Sequence, residues 1–459
     1  MQPIRTSMVL ADRISMLPDE ILCCILSLLT LKEAASTSIL SRRWRYLWTS
    51  FPRLDFGAEN FQEMEANAFV KAVNKVLRVY SGRNLQEFTV RFQVQEIPVR
   101  EIESYHIDCW IAFAIATGVV KLELDLTYCC FGTLKKYSIP LDLFVGTKGM
   151  VPYLKQFDCR SSIVTSPLSI HRQLACLTEL VLRSVEVTDE VFRIILLRCS
   201  SLTHLVLECS DSLIFAKSTL PHIKLKSLEI CGCRNLEKLE ISVPNLVSFT
   251  YYGLKTTFCI KDAQHLVHVD LRHSVLYSDN PYTQHLDMKD FLFGQFSCYI
   301  SQLERLSLEI SAFKEVPVLN GVHLFRNLKR LDLIGNCFCS LALCYNLAVF
   351  LLKASPFLRL LLLWLPTEFR TSGEELRKIS IPRHSNLKKL VLRDFQGRRS
   401  NIEFVLYIAE HAIALERIEI IRDHESIKQL QKKGIGAEED EMARYLRESL
   451  PPGVELKFI

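Results

Sequence analysis

Cysteine and histidine are the side chains in this sequence best suited to covalent or metal chemistry, and their spacing argues against both. The chain has 16 cysteines and 12 histidines among 459 residues. Cys231-x-Cys233, and Cys337-x-Cys339 followed by Cys344, bring thiols close in sequence. A structural zinc site calls for paired Cys-x-x-Cys or Cys/His sets, which are absent here. The thiols fall mostly at the borders of a repeated pattern and read as small buried hydrophobes. His204 and His411 have no acid or nucleophile at catalytic spacing, and the zincin, Walker, nucleophile-elbow and dinucleotide signatures do not occur. Gly434-x-Gly436 is too short for a nucleotide fingerprint. No catalytic residue, metal or cofactor is therefore expected, and the remaining chemistry is recognition by charge and apolar surface.

Those charges sit in a repeat. An apolar residue, two others, an apolar residue, one other and an apolar residue recur as VKLELDL around Leu122, LTELVL from Leu177, LTHLVL from Leu202, LKSLEI from Leu225, LEKLEI from Leu236 and LVHVDL from Leu266. The pattern continues as LERLSL from Leu303, LKRLDL from Leu328, LRLLLL from Leu358, LKKLVL from Leu387 and LERIEI from Leu415. Several successive starts lie 23 to 30 residues apart, close to the leucine-rich-repeat period of one strand and one helical or irregular segment per unit. Asn336 and Cys233 occupy the ladder position of the full motif. The short interval from Leu225 to Leu236 and the long one from Leu266 to Leu303 mark a degenerate array, with an insertion expected near Ser278 to Ser297.

Each unit leaves an apolar face that only a stacked neighbour buries, which predicts an α/β fold: a curved solenoid with a parallel sheet on its concave side. Residues between the core leucines then point outward. The first outward column reads Glu179, His204, Ser227, Lys238, His268, Arg305, Arg330, Leu360, Lys389, Arg417, and the second Val181, Val206, Glu229, Glu240, Asp270, Ser307, Asp332, Leu362, Val391, Glu419. Strands about 4.8 Å apart make like charges in a column repel unless something neutralises them. Pairs such as Arg330 with Asp332 and Arg417 with Glu419 could screen one another on a solvated face. Alternatively Arg305, Arg330, Lys389 and Arg417 receive an acidic or phosphorylated target segment, with Leu360, Leu362 and Trp364 as an apolar anchor; Trp364 could equally be buried under the C-terminal unit.

Bulk properties fit this organisation. A chain of 459 residues exceeds the length at which one compact core stops growing. Its net charge of +5, from 56 basic and 51 acidic residues, gives no electrostatic case for a nucleic-acid partner. Scattered cysteines, no signal-peptide start and no Asn-x-Ser/Thr acceptor point to free thiols in an intracellular, nuclear or cytoplasmic protein. Cys109 to Val120 is too short to span a membrane, and Leu341 to Leu365 is broken by Asn346, Lys353 and Arg359, so no membrane partner is expected.

Residues 12–56 differ from the array. Pro18 is placed to open a helix, with Asp19 and Glu20 where the macrodipole favours acids. Ile21, Leu22, Cys24, Ile25, Leu26, Leu28 and Leu29 then spread around more of the circumference than one core contact needs. Thr30 and Glu33 have capping-box spacing for a second helix, and Ser41 can cap a third that carries Trp44, Leu47 and Trp48. About 40 residues cannot close a core around so much apolar surface, so a partner is expected.

Leu17-Pro18-Asp19-Glu20-Ile21-Leu22, Ile25-Leu26-Ser27, Lys32-Glu33-Ala34-Ala35, Leu40-Ser41-Arg42-Arg43-Trp44-Arg45 and Leu47-Trp48 resemble an F-box of the plant F-box/leucine-rich-repeat group. The resemblance implies docking on a Skp-family adaptor of a cullin ubiquitin ligase, through Leu17, Pro18, Ile21, Ile25, Leu26 and Leu40, with Trp44 as packing or anchor. It implies a receptor that recruits a protein target rather than an enzyme, since neither a thioester cysteine nor a zinc-built RING is present. A repeat scaffold without ligase function and a small-molecule-dependent receptor are the alternatives. Residues 57–118, with helical spacing at Phe69, Val70, Val73, Val76 and Leu77, a strand over Leu85 to Phe92 and a helix over Trp110 to Ala116, are expected to form an atypical N-terminal cap. Residues 119–372 are the repeats.

The segment Ser385 to Ile420 reads strand, turn at Gln396-Gly397, helix and strand. It resembles the FBD module that ends many plant F-box/repeat proteins, with Gly397, Glu403, Tyr407, Ile408, Ala409 and Leu415 at matching points and Leu392 or Phe395 for the family's aromatic. A helix over Glu438 to Leu450, with Met442, Tyr445, Leu446 and Leu450 on one side, and a strand at Val454 to Phe458 complete an FBD-like capping region, 373–459. His424 to Gly436 is expected to be a flexible loop.

Overall fold

Leucine at the first, fourth and sixth positions of a short motif forces alternation, and alternation makes strands with one buried face. The computed structural model describes residues 14, 16–57, 64–82, 85–91, 104–126, 137–139, 154–160, 162–164, 172–220, 222–254, 256–273, 294, 296–310, 325–335, 341–365, 383–395, 397, 399–421 and 436–459. They fall into two units, 1–202 and 203–459. Asn336, Cys337, Cys339, most of Ser278 to Ser297, and residues 424–435 of the expected loop lie outside the described residues.

The first unit begins with helices α1 (Asp19–Leu26), α2 (Leu31–Ser36) and α3 (Trp44–Leu47). Pro18 stands before α1 rather than inside it, because its ψ of 154° is extended. The capping box forms: Glu33 N–H donates to Thr30 Oγ1, and Thr30 N–H to Glu33 Oε2 at 2.9 Å. Leu22, Leu26, Ala34, Trp44, Leu47 and Phe51 make a small core, with Leu17, Cys23 and Trp48 packed against it.

Then come β1 (Arg53–Phe56), α4 (Ala66–Val79), β2 (Glu87–Arg91), α5 (Ser104–Ala116), β3 (Lys121–Asp125), β4 (Tyr137–Ile139), β5 (Gln156–Arg160), β6 (Ser162–Val164), β7 (Glu179–Arg183) and α6 (Asp189–Arg198). Strands β1, β2, β3, β5 and β7 pair in parallel, in that order, while β4 and β6 pair separately. Register aligns Leu54, Phe88, Leu122, Phe157 and Leu180 in one buried column. Phe69 meets Trp110 edge-on at 6.1 Å, and the indole N–H donates to Asn74 Oδ1 at 2.9 Å, which locks α4 to α5. The helical module is tied to this sheet: Ser81 N–H donates to the Thr49 carbonyl at 2.8 Å, and Tyr80 Oη–H to the Phe51 carbonyl at 3.0 Å.

The second unit holds β8 (His204–Glu208), β9 (Phe215–Ser218), β10 (Ser227–Cys231), β11 (Lys238–Ser242), β12 (Ser248–Gly253), β13 (Thr257–Lys261), β14 (His268–His273), β15 (Arg305–Glu309) and β16 (Arg330–Ile334). It continues through α7 (Leu341–Ala354), β17 (Leu360–Trp364), β18 (Lys389–Arg393), α8 (Arg399–His411), β19 (Arg417–Ile421), α9 (Gly436–Ser449) and β20 (Glu455–Phe458). Strands β8, β10, β12, β14, β15, β16, β17, β18, β19 and β20 pair in parallel in that order.

One expected strand belongs elsewhere. LEKLEI forms β11, the middle of a separate parallel sheet with β9 and β13, so Lys238 and Glu240 are not in the main columns. Between β10 and β14 the main sheet uses β12, whose inward residues Phe249 and Tyr251 replace leucine. Tyr251 is fully buried because its hydroxyl donates to the Leu254 carbonyl at 2.7 Å and contacts Thr256 Oγ1 at 2.6 Å. The short interval before Leu236 thus separates two sheets. The long one before Leu303 joins direct neighbours, since β14 pairs with β15.

Toward the C-terminus, Tyr345 on α7 stacks on Phe404 of α8 with ring centroids 4.1 Å apart, and its hydroxyl donates to buried Asn401 Oδ1 at 2.9 Å. Gly397 has φ +69°, where side chains are strained, and a Cβ there would meet Met442 Sδ of α9 at 2.7 Å, so any other residue would also displace the methionine end. Leu446 is buried but Tyr445 is exposed, which corrects the expected shared face of the last helix. Strands β7, β8, β13 and β18 are followed by non-glycine residues with positive φ, Ser184, Cys209, Asp262 and Asp394.

Buried His384 is held neutral: Nδ1 accepts from the Asn386 and Leu387 amides at 3.3 and 3.0 Å, and Nε2–H donates to the Ser355 carbonyl at 2.9 Å. Burial holds its pKa below the ordinary 6.5, against the opposing pull of the Ser355 carbonyl. The unfolded chain therefore takes up this proton first, so the contribution is complete above pH 6.5 and lost as pH falls below it. Thermal unfolding should show the second unit weakening from about pH 7 to about pH 5, less steeply in His384→Gln. Tyr345→Phe should cost about 1–3 kcal/mol in denaturant unfolding by stranding the Asn401 carbonyl oxygen.

Candidate interaction surfaces

Helical geometry gives the N-terminal module two apolar sides. Leu22 and Leu26, four residues apart, point into its core; Ile21 and Ile25, one position earlier, point to solvent at 46% and 42% exposure. Leu28, Leu29, Ile39 and Leu40 are also exposed, Ile39 at 88%. Pro18 is exposed and Leu17 is half-buried against the core. Leu26, expected among the adaptor contacts, and Trp44, expected as packing or anchor, are both turned into the module's core and offer a partner almost no surface, so the structure gives both a packing role. Leu28, Leu29 and Ile39 extend the exposed apolar side beyond the contacts that the resemblance implies, and the excess of apolar positions after Pro18 is the sequence signal for the first two.

A latch shapes the start of this surface. Arg43 Nε donates to Asp19 Oδ1 at 2.7 Å, and a terminal guanidinium nitrogen to the Leu17 carbonyl at 2.6 Å. The chain entering α1 is thereby fixed beside α3. Trp48 Nε1–H donates to Ser38 Oγ at 3.0 Å, which holds the turn leading to Ile39 and Leu40.

On the first unit's sheet, outward charges pair across strands. Arg91 Nε reaches Glu123 at 2.7 Å, Lys121 reaches Glu87 at 2.7 Å, and Arg183 reaches Asp158 at 2.6 Å. Burial raises the Asp158 pKa against the pull of Arg183.

The second unit carries the residues expected to meet a target. Arg305 and Arg330 share the Asp332 carboxylate at 3.1 and 2.9 Å, and Ser307 Oγ–H donates to it at 3.3 Å. Asp332 is buried although it lies on the outward side, because these neighbours close over it. Lys389 pairs with Glu419 at 2.7 Å, and Arg417 with Glu455 at 2.8 Å. Lys457 first, then Arg417, hold the Glu455 carboxyl below its usual range. Every basic residue of the expected quartet therefore has a carboxylate partner in the chain, buried at Asp332, largely covered at Glu419 and exposed at Glu455.

The apolar trio occupies one strand, with Leu360, Leu362 and Trp364 half-buried on the outward side of β17. Trp364 is neither free nor fully buried. Its indole N–H donates to Asp394, and Arg393 lies over the ring 5.1 Å from the centroid.

Burial raises the Cys199, Cys231 and Cys233 thiols to about 12, so they stay protonated and unreactive. Among the described residues, no group of three or more His, Cys, Asp or Glu could hold a metal, and no helix is long and apolar enough to cross a membrane.

A helical module with an exposed apolar side, leading into stacked parallel strands with outward columns of charged residues, defines a leucine-rich-repeat protein with an N-terminal helical module. The profile described as the LRR domain of At1g61320/AtMIF1 matches residues 76–448, and the F-box domain profile matches residues 14–56. The chain belongs to the plant F-box/leucine-rich-repeat family. A putative F-box/LRR-repeat protein of Arabidopsis thaliana, At4g15060, is 27% identical over 377 residues, 79% of this chain and 82% of that protein. The F-box/FBD/LRR-repeat protein At2g04230 of Arabidopsis thaliana is 37% identical over 133 residues, 28% of each chain. Among solved structures, an internalin from Listeria monocytogenes aligns over 78% of this chain and 88% of its own, at 11% identity and a TM-score of 0.30.

Shared use of Asp332 makes its arginines interchangeable singly but not together. Arg305→Gln or Arg330→Gln alone should change unfolding free energy by less than about 1 kcal/mol. The double variant should cost more than the sum, by about 1–3 kcal/mol, because the buried carboxylate then has no cation; equilibrium denaturation of the three variants measures the coupling.

Proposed function

We propose that this chain is the substrate-recognition subunit of an SCF-type cullin ubiquitin ligase. Its F-box would bind a Skp-family adaptor, and through it the cullin scaffold, while the repeat sheets hold a protein target. The observation that carries this reading is the solvent-exposed apolar side of residues 21–40, opposite a core that Leu22, Leu26 and Trp44 already fill. Fully burying an exposed leucine-sized side chain is worth about 1.5–3 kcal/mol, so Leu28 and Leu40 offer most to an interface and the half-covered Ile21 and Ile25 add less.

In this role the chain supplies no covalent chemistry. It raises the effective concentration of a target lysine near a charged conjugating enzyme, which is catalysis by proximity. The hydrogen bonds from Ser81 to Thr49 and from Tyr80 to Phe51 support the role, because a docking module fixed to the first repeats transmits position instead of wandering on a linker.

The test is co-expression with a Skp-family adaptor and measurement of the complex by gel filtration. Ile25→Asp with Leu40→Asp changes only exposed side chains and should abolish the complex while circular dichroism and thermal midpoint stay at wild-type values. No wild-type complex, or a complex indifferent to the double change, would instead leave a repeat scaffold without ligase function.

A further inference from the structure

The repeat face of the second unit is not uniform. On β17 all three outward residues, Leu360, Leu362 and Trp364, are apolar, whereas every other described strand of that sheet carries at least one charged or hydroxyl-bearing outward residue. Register sets Leu360 between Arg330 and Lys389, Leu362 between Asp332 and Val391, and Trp364 between Ile334 and Arg393. The apolar strip thus has Arg330 and Lys389 beside its Leu360 end and Arg393 beside its Trp364 end, where the Asp394 carboxylate takes the indole N–H.

The frame has a net sign. Over β16 to β20 the outward positions hold five cations, Arg330, Lys389, Arg393, Arg417 and Lys457, and three carboxylates, Asp332, Glu419 and Glu455. Over β8 to β14 the same positions hold Glu208, Glu229 and Asp270 with Arg272 as the cation. The sheet face therefore changes from acidic to basic along its strands, and the apolar strip lies in the basic part. Arg393, stacked on Trp364, presents a planar fork of donors beside that strip. Arg305 and Arg330 keep their internal partner, so Asp332 positions them without cancelling the local excess of positive charge.

We propose that this face, resting on the receptor role above, selects an extended acidic target segment with a central apolar residue. That residue seats on Leu360, Leu362 and the Trp364 ring, and carboxylates on either side meet Arg330 on one flank and Lys389, Arg393 and Arg417 on the other. Neighbouring strands about 4.8 Å apart separate Arg330 from Lys389 by two spacings, about 10 Å, which about three extended residues bridge. A carboxylate, an apolar residue and a second carboxylate fit that reach. A segment acidic along a greater length would meet Glu229 and Asp270, which limits the length recognised.

The probe is a fluorescein-labelled peptide, Gly-Ser-Asp-Leu-Asp-Ser-Gly, titrated with the 459-residue chain and read by anisotropy. Two controls carry Lys in place of both Asp residues, or Ser in place of Leu. The acidic apolar peptide should bind at least tenfold more tightly than either control, and more weakly as salt rises, since exposed charges are screened. Leu362→Ser and Lys389→Gln should each weaken it about tenfold at an unchanged thermal midpoint, and Lys238→Gln on the separate sheet should leave it unchanged. No binding, equal binding of the charge-inverted peptide, or equal loss in Lys238→Gln would overturn the proposal. Adaptor complex formation, recorded on the same preparations, shows separately whether the receptor role holds.

Discussion

Everything in the repeat units follows from parallel strands stacked in register about 4.8 Å apart. At that spacing a residue touches its counterpart on the next strand more closely than most of its own sequence neighbours. An inward column must therefore be apolar throughout, as from Leu205 through Leu228, Phe249 and Val269 to Ile418. An outward column must balance its charge locally. The shared Asp332 and the chain of pairs from Lys389 through Glu419, Arg417 and Glu455 to Lys457 satisfy that second demand. These pairs add little stability individually, yet they arrange which charges stand beside the apolar strip on β17.

The N-terminal module meets a different demand. Three short helical segments cannot bury two apolar sides, so Leu22, Leu26, Trp44 and Leu47 fill an internal core and Ile21, Ile25, Leu28 and Leu40 are left facing water. The Arg43 latch and the Trp48 hydrogen bond organise the exposed side at little hydrophobic expense, since both use polar groups at the ends of helices. One apolar side thus makes the module fold, and the other is available for association.

How much of this was legible depended on how strictly each residue obeyed its period. The capping box at Thr30 and Glu33, the helices around Phe69 and Trp110, and most repeat strands follow from local spacing alone. The strand at Ser248–Gly253 was missed because Phe249 and Tyr251 take leucine positions, and a buried tyrosine is admissible only with the hydroxyl partners at Leu254 and Thr256. The strand at Lys238–Ser242 had the right pattern but paired with a separate sheet, which a linear motif does not encode. Leu26 looked like its neighbour Ile25, and only the direction of a single 100° step around the helix put one inside and the other out. The ion pairs were suggested by adjacent letters such as Arg330 and Asp332, whereas the second claim of Arg305 on that carboxylate needed the register between strands.

Asp394 does two jobs that pull substitution in opposite directions. Its φ of +56° lies where glycine is at ease and most side chains are strained, while its carboxylate holds the Trp364 indole. Asp394→Gly would relax the backbone and release the ring to other rotamers. A mutational survey scored on expression would rank glycine there as benign or better, and one scored on the orientation of the indole would rank it among the losses. At this position folding fitness and surface fitness are separable, so an aspartate kept across related sequences would report selection on the ring rather than on the turn.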